Sequence, residues 1–176
     1  MRRSRIYTTQ TLEAGGTVAL EQRAEHYVSR VLRLTDGDEI TLFNGNGLDY
    51  PAKLHRDGRG SLCAGITAHL DPANESPLAI TLVQAIGRGE RMDFALQKAT
   101  ELGVAYIQPI TCERVGVKLK ENKRARRHGH WQGVVISACE QSGRATVPEV
   151  LPLINSSLEV TSANYGGDTS VLAVEI

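Results

Sequence analysis

Hydrophobic and polar positions alternate in the first part of the chain and run together in the second. From Ala24 to Leu34, the residues Tyr27, Val28, Val31 and Leu32 recur at the spacing of one helix face, and Asp36-Gly37 stops the pattern. Glu39–Phe43 then alternates with period two. Asn44-Gly45-Asn46-Gly47 is a turn, Leu48–Leu54 is the return strand, Asp57-Gly58-Arg59-Gly60 is a second turn, and Ser61–Leu70 is a third strand. Short strands with tight turns in about 70 residues predict a small β-barrel. The polar, proline-bounded stretch Asp71–Pro77 predicts a domain boundary, giving domains over 1–72 and 73–176.

Past that linker the texture changes. Leu78–Ile86 is a nearly continuous apolar run, as expected of a strand buried on both faces. Gly87-Arg88-Gly89 turns the chain into a helix over Glu90–Leu102, with Met92, Ala95, Leu96, Ala99 and Leu102 on one side and Gly103 placed as its stop. Val104–Ile110 reads as a strand and Trp131–Gln141 as a helix with Trp131, Val134, Val135 and Ala138 at helical spacing. Val147–Ile154 and Ser170–Ile176 read as further strands. Strands alternating with helices predict a mainly parallel α/β sheet.

Composition narrows the function classes. The chain of 176 residues is 41% hydrophobic and carries 20 Lys+Arg against 20 Asp+Glu, which excludes a disordered chain over most of its length. No run approaches the roughly 18 apolar residues of a membrane span, and the basic start Met1-Arg2-Arg3 lacks the apolar segment of a secretory signal. The cysteines at 63, 112 and 139 form no C-x-x-C pair, so a reducing cytoplasm is the expected compartment.

The balanced charge is unevenly spread. Six Arg face three Glu in Met1–Arg33, and seven Lys/Arg face two Glu in Glu113–Arg127, whereas Ala145–Ile176 has four acids and no Lys or Arg. Two basic blocks and a 15:5 excess of Arg over Lys favour a local polyanion site over a merely solvated helix face, because the guanidinium fork suits phosphates and bases. His26, Arg30 and Arg33 lie at i, i+4 and i+7, one His/Arg face able to stack on a base or meet phosphates.

Other chemistry is less specified. Gly87-Arg88-Gly89 before a helix is half of a dinucleotide fingerprint, but Met92 stands where the third glycine belongs; the turn still makes an anion cradle at a helix N-terminus. A nicotinamide-dependent oxidoreductase is the rival that this turn would support. Cys139-Glu140-Gln141-Ser142 offers a thiol or hydroxyl beside a carboxylate, though a buried structural cysteine explains it as well. Zinc held by His128, His130 and Cys139 lacks standard ligand spacing, and no metal is expected.

Six segments occur in order: His26-Tyr-Val-Ser-Arg-Val-Leu-Arg33, Gly87-Arg-Gly-Glu-Arg-Met-Asp93, Gln97-Lys-Ala-Thr-Glu-Leu-Gly-Val104, Glu113-Arg-Val-Gly-Val-Lys-Leu119, Ala138-Cys-Glu-Gln-Ser-Gly-Arg144 and Val147-Pro-Glu-Val150. Together they resemble the RsmE family, the bacterial ribosomal RNA small-subunit methyltransferase E, over essentially the whole chain. The resemblance implies an N-terminal PUA-like β-barrel and a SPOUT-type α/β methyltransferase domain with a C-terminal trefoil knot, working as a homodimer. It implies methyl transfer from S-adenosylmethionine to N3 of a uridine in 16S rRNA of the small ribosomal subunit. It places Arg5, His26, Arg30, Arg33, Arg88, Lys98 and Lys118 against RNA. Glu113, Arg114, Glu140 and Arg144 would be catalytic, with Glu101 and Gln141 nearby.

The family continues with a GPEGG-type loop and an LGxRxLRxET-type segment that form the knot and most of the donor pocket. Neither occurs in these 176 residues, which end at Val171-Leu-Ala-Val-Glu-Ile176. The resemblance therefore implies a domain truncated before the knot, an incomplete S-adenosylmethionine pocket with only Val174 and Glu175 at its edge, and weakened dimerisation. An RNA-binding module without catalysis is the alternative. Methylating uridine N3 requires loss of its proton, so the expectation is that Glu140 or Glu113 orients or deprotonates while Arg114 and Arg144 stabilise the ring charge. A structural ion pair between Glu140 and Arg144, four residues apart, is the alternative role for those two residues.

Overall fold

A computed structural model describes residues 3–87, 90–111, 121–154 and 170–174, and it divides the chain into two compact units. The first holds Met1–Glu75 together with Gly143–Thr146, and the second holds Ser76–Ser142 and Val147–Ile176. The break in the chain falls at Glu75/Ser76, three residues past the expected 72/73 boundary, and four residues from far downstream return to the first unit.

The first unit is a five-stranded sheet ordered β1-β3-β4-β5-β2, with β1 at Ser4–Tyr7, β2 at Thr17–Ala19, β3 at Glu39–Phe43, β4 at Tyr50–Arg56 and β5 at Leu62–Ile66. β1 pairs parallel with β3, and the other pairings are antiparallel. Period-two alternation sets the core: Ile40 and Leu42, Ala52 and Leu54, and Leu62, Ala64 and Ile66 point to one face with Ile6 and Val28. The other face of β3 is not bare, because Phe43 is fully buried and stacks edge-on against Tyr7 at 5.6 Å. The turn between β3 and β4 follows from its asparagines: the Asn44 and Asn46 side-chain oxygens accept from the amides of Asn46 and Leu48 at 3.3 and 3.0 Å, while Gly45 and Gly47 take φ near 90°.

The predicted helix over 24–34 takes a different course. Helix α1 covers only Gln22–His26, and Tyr27–Val31 continues as a π-helical turn, with Leu32 N–H reaching Tyr27 O at 3.0 Å. The wider turn carries Val31 out to 59% exposure and brings Leu34 onto the core with Tyr27 and Leu32. Val31 is therefore not on the buried face that α-helical spacing assigns it.

Among its described residues, the second unit is a four-stranded, all-parallel sheet ordered β8-β7-β6-β9, with β6 at Ile80–Ala85, β7 at Tyr106–Ile110, β8 at Glu149–Val150 and β9 at Ser170–Val174. Helices α2 (Glu90–Glu101) and α3 (Glu121–Ser142) connect them. Leu82, Ile86 and Ile107 from the sheet pack with Met92, Leu96 and Ala99 of α2 and with Trp131 and Val135 of α3. Leu102 departs from that face and is 83% exposed, because α2 ends one residue before it and Gly103 turns away at φ 97°. Helix α3 begins ten residues before the apolar pattern does, since Lys, Arg and Ala favour helix without any buried position. β8 is shorter than the predicted Val147–Ile154. Pro148 and Pro152 remove ladder donors on either side, and the pairing resumes only as an isolated bridge between Ile110 and Ile154.

Candidate nucleic-acid interface

The first unit presents His26 on α1, Arg30 on the π-helical turn and Arg33 two residues past it, all as exposed side chains. None of the three side chains has a partner among the described residues. Arg33 sits at φ 56°, in the left-handed region, where the Leu34 amide closes the turn onto Val28 O at 3.0 Å. An arginine in a position that suits glycine, with its guanidinium in solvent, is a local strain beside an anion-ready face.

Arg5 is placed differently. Its side chain is 8% exposed, pairs with Asp49, donates to Arg144 O at 2.9 Å and lies 4.7 Å over the Phe43 ring. Arg144 is likewise buried: Nη2 reaches Glu75 Oε2 at 2.7 Å and Nε lies 3.1 and 3.2 Å from the two carboxylate oxygens. A charge-stabilising role at a target base would have to displace that carboxylate. Asp49 and Glu75 carry no signal in the sequence, because each partner is dozens of residues away.

In the second unit the parallel strands end together, and ligands bind at such carboxyl edges. β6 leads there through Gly87 into α2. A Cβ on Gly87 would lie 3.3 Å from Arg91 Cβ and 3.4 Å from Met92 N, so the strand-to-helix turn is tight enough to favour glycine. Val174, at the end of β9, stands in register with Gln84 at the same edge. Gln84 is buried and donates to Ala85 O at 2.9 Å. Arg88, Glu113, Arg114, Lys118 and Glu175 lie outside the described residues.

Lys98 donates to Glu101 Oε2 at 2.7 Å and lies 5.8 Å over the Phe94 ring. That hydrogen bond, with a second from Gln97 at 3.0 Å, holds the Glu101 carboxyl below the usual carboxylate range. Glu140 is buried near the end of α3 beside the fully buried Cys139, whereas Gln141 is exposed. The structure thus brings Arg5 to Arg144 and Lys98 to Glu101. Helix α3 also carries His130, whose ring meets Asp93 of α2 at 2.8 Å, and Gln132, which bonds Pro148 O and the Val150 amide, each at 3.0 Å.

The structure thus joins in sequence a small β unit with exposed basic side chains and a parallel α/β unit whose carboxyl edge can take a ligand. Residues 74–174 match the family model described as an RNA methyltransferase domain, and residues 24–67 match that of the RNA methyltransferase PUA domain. The chain belongs to the RNA methyltransferase family.

Among its relatives, ribosomal RNA small subunit methyltransferase E of a Synechocystis strain is 36% identical over 141 residues, covering 80% of this chain and 44% of that protein. The protein of the same name from Buchnera aphidicola (subspecies Schizaphis graminum) is 32% identical over 146 residues, covering 83% and 59%. The Neisseria gonorrhoeae ribosomal RNA small subunit methyltransferase E, crystallised with S-adenosyl methionine, superposes with a TM-score of 0.81 at 45% identity. That superposition covers 88% of this chain and 63% of that one. The chain thus spans 44% to 59% of the two curated relatives' lengths.

Proposed function

We propose that the protein methylates N3 of a uridine in 16S rRNA of the small ribosomal subunit, using S-adenosylmethionine. The observation that carries this reading is the 45% identity and TM-score of 0.81 to the Neisseria enzyme crystallised with that donor, joined to the family match over 74–174. The first unit holds RNA through His26, Arg30 and Arg33. Arg88, Lys98 and Lys118 are the basic residues that the second unit offers to RNA, whereas Arg5, held by Asp49, supports the first unit from inside.

The donor would sit at the carboxyl edge of the parallel sheet, where β6 enters α2 through the tight turn at Gly87 and Val174 ends the neighbouring strand in register with Gln84. Val174 and Glu175 would line the donor's edge. When bound, S-adenosylmethionine supplies an electrophilic methyl group. The chain's own residues must remove or hold the uridine N3 proton, for which Glu140 and Glu113 are the carboxylates. They must also stabilise negative charge on the ring oxygens, for which Arg114 is the guanidinium. A ribosomal RNA substrate supports a cytoplasmic location; separately, no helix among the described residues is long and apolar enough to cross a membrane. A homodimer, which the family resemblance implies, would have to cover apolar surface such as the groove of about 760 Å³ between β6 and α2, rimmed by Phe94 and Leu102.

The test uses the protein's full chain, tritiated S-adenosylmethionine and small subunits from cells that lack this methyl group. Label recovered in 3-methyluridine supports the reading. Salt-dependent RNA binding without transfer would replace it with an RNA-binding module.

A further inference from the structure

Gly143–Thr146 is a four-residue strap that belongs to the first unit and is bonded along its whole length. Asn74 Nδ2 donates to Gly143 O at 2.9 Å, Arg5 Nη2 to Arg144 O at 2.9 Å and the Gly47 amide to Ala145 O at 3.3 Å. The Thr146 amide donates to Glu75 Oε1 at 3.3 Å. Glu75 is the hub, since its two oxygens also take the Arg144 guanidinium, with Nη2 at 2.7 Å. Arg144 and Ala145 are 6% and 0% exposed. A guanidinium so enclosed by a bidentate carboxylate has its fork geometry satisfied and its charge answered inside the unit.

We propose that Glu75 is a positioning residue that acts through Arg144: their ion pair locks the strap, and Arg144 does not itself touch the target base. The strap follows Ser142, the last residue of α3, without a break. The covalent junction Ser142–Gly143 is the route by which the lock would reach the helix turn that carries Glu140 and Gln141. Buried ion pairs contribute little net stability against well-packed apolar substitutes, and their best-attested use is to fix one arrangement among several. Arg5 adds a second clamp on the same segment, through the Arg144 carbonyl and its own pairing with Asp49. Were Arg144 to swing to a substrate, Glu75 would be left part-buried without its counter-ion.

This inference rests on the methyltransferase reading for its kinetic consequence but not for its structural one. The test is a mutant cycle on the full chain with Glu75→Gln, Arg144→Gln, the double variant and the charge swap Glu75→Arg/Arg144→Glu. Single-turnover methyl transfer is measured at a temperature where melting curves show every variant folded. Either single change is expected to slow transfer by about tenfold, the double by no more than that, and the swap to recover part of the loss, as for directly coupled neighbours. A far larger loss for Arg144→Gln than for Glu75→Gln, or losses that multiply, would overturn the proposal in favour of substrate contact by Arg144. Amide hydrogen exchange supplies the readout that needs no activity. Glu75→Gln is expected to speed exchange at Thr146 and in the last turn of α3 while leaving Val135 unchanged, and unchanged exchange at Thr146 would refute the lock. Absence of methyl transfer by the unaltered protein would remove the methyltransferase reading and leave the exchange result to decide the lock.

Discussion

Replacing Arg33 by glycine should stabilise the first unit while weakening its hold on RNA. Arg33 occupies φ 56°, and a side chain in the left-handed region costs roughly 1–2 kcal/mol. Glycine removes that cost but gives the unfolded chain more freedom, which returns roughly 0.5–1 kcal/mol to the other side. The net gain is about 0–1.5 kcal/mol, centred at roughly 0.75, and for a unit of this size the central value raises the melting temperature by about 3–6 °C. Because the Arg33 side chain is exposed and unpartnered among the described residues, little packing is lost with it. On the binding side, one phosphate contact fewer should lower the slope of log affinity against log salt by about 0.7–0.9. Far-UV circular dichroism follows the melting, while the chain's single tryptophan, Trp131, reports the second unit and should not move. Fluorescence anisotropy with a single-stranded 16S fragment at several salt concentrations gives the slope. Arg33→Lys, which keeps both strain and charge, should leave melting temperature and slope near their starting values. A glycine variant that melts lower, or that binds RNA with the original salt slope, would refute the reasoning.

Other expectations concern the cores and pH. Leu96→Ala opens a cavity beneath α2, where Leu96 is fully buried, and should cost about 2–5 kcal/mol in urea unfolding followed by Trp131 fluorescence; an unshifted midpoint would contradict its place in the core. Burial pushes the Cys63 thiol above its ordinary value, with Asp57 adding to the shift. The folded protein keeps that proton when the unfolded chain, from about pH 8.5 upward, releases it. The contribution is therefore whole below that pH and is lost as pH rises toward the folded value; Cys63→Ala should flatten the alkaline limb of a stability–pH curve. Glu21 is shifted the other way, held below the usual carboxylate range first by the Thr9 hydroxyl at 2.8 Å and also by Thr8 at 3.1 Å. Its contribution is present above about pH 4.3 and is lost as pH falls through the lowered folded value, so Glu21→Gln should flatten the acid limb.

The elements that local pattern makes legible are those whose partners are also local. β3, β4 and β5 announce themselves because each hairpin joins neighbours in sequence and each strand alternates against the same core, so inward and outward residues follow from period two alone. β1 and β2 go unread for the opposite reason. β1 is four residues long, buries only Ile6 deeply, and exists because it pairs with β3 some 36 residues away. The start of α3 is invisible to apolar periodicity, since the basic run that opens it has nothing to bury. The π-helical turn is equally hidden, as one widened turn moves Val31 to solvent with no change of composition.

The same division governs the arginines. His26 and Arg30 lie on α1 and the π-helical turn and Arg33 just past it at φ 56°, so α-helical spacing no longer relates the three, yet the structure leaves all of them exposed. Arg5 and Arg144 look no different in sequence. Yet their charges are answered by Asp49 and Glu75, which lie 44 and 69 residues away. A family motif carries over the position of such a residue, but whether its guanidinium is free for RNA depends on tertiary pairing that no motif encodes. Two arginines of equal apparent basicity can therefore differ completely in what they are available to bind. The comparison between them is itself testable: removing Arg30 should lower the salt slope of RNA binding, whereas removing Arg144 should lower the melting temperature of the first unit and leave that slope in place.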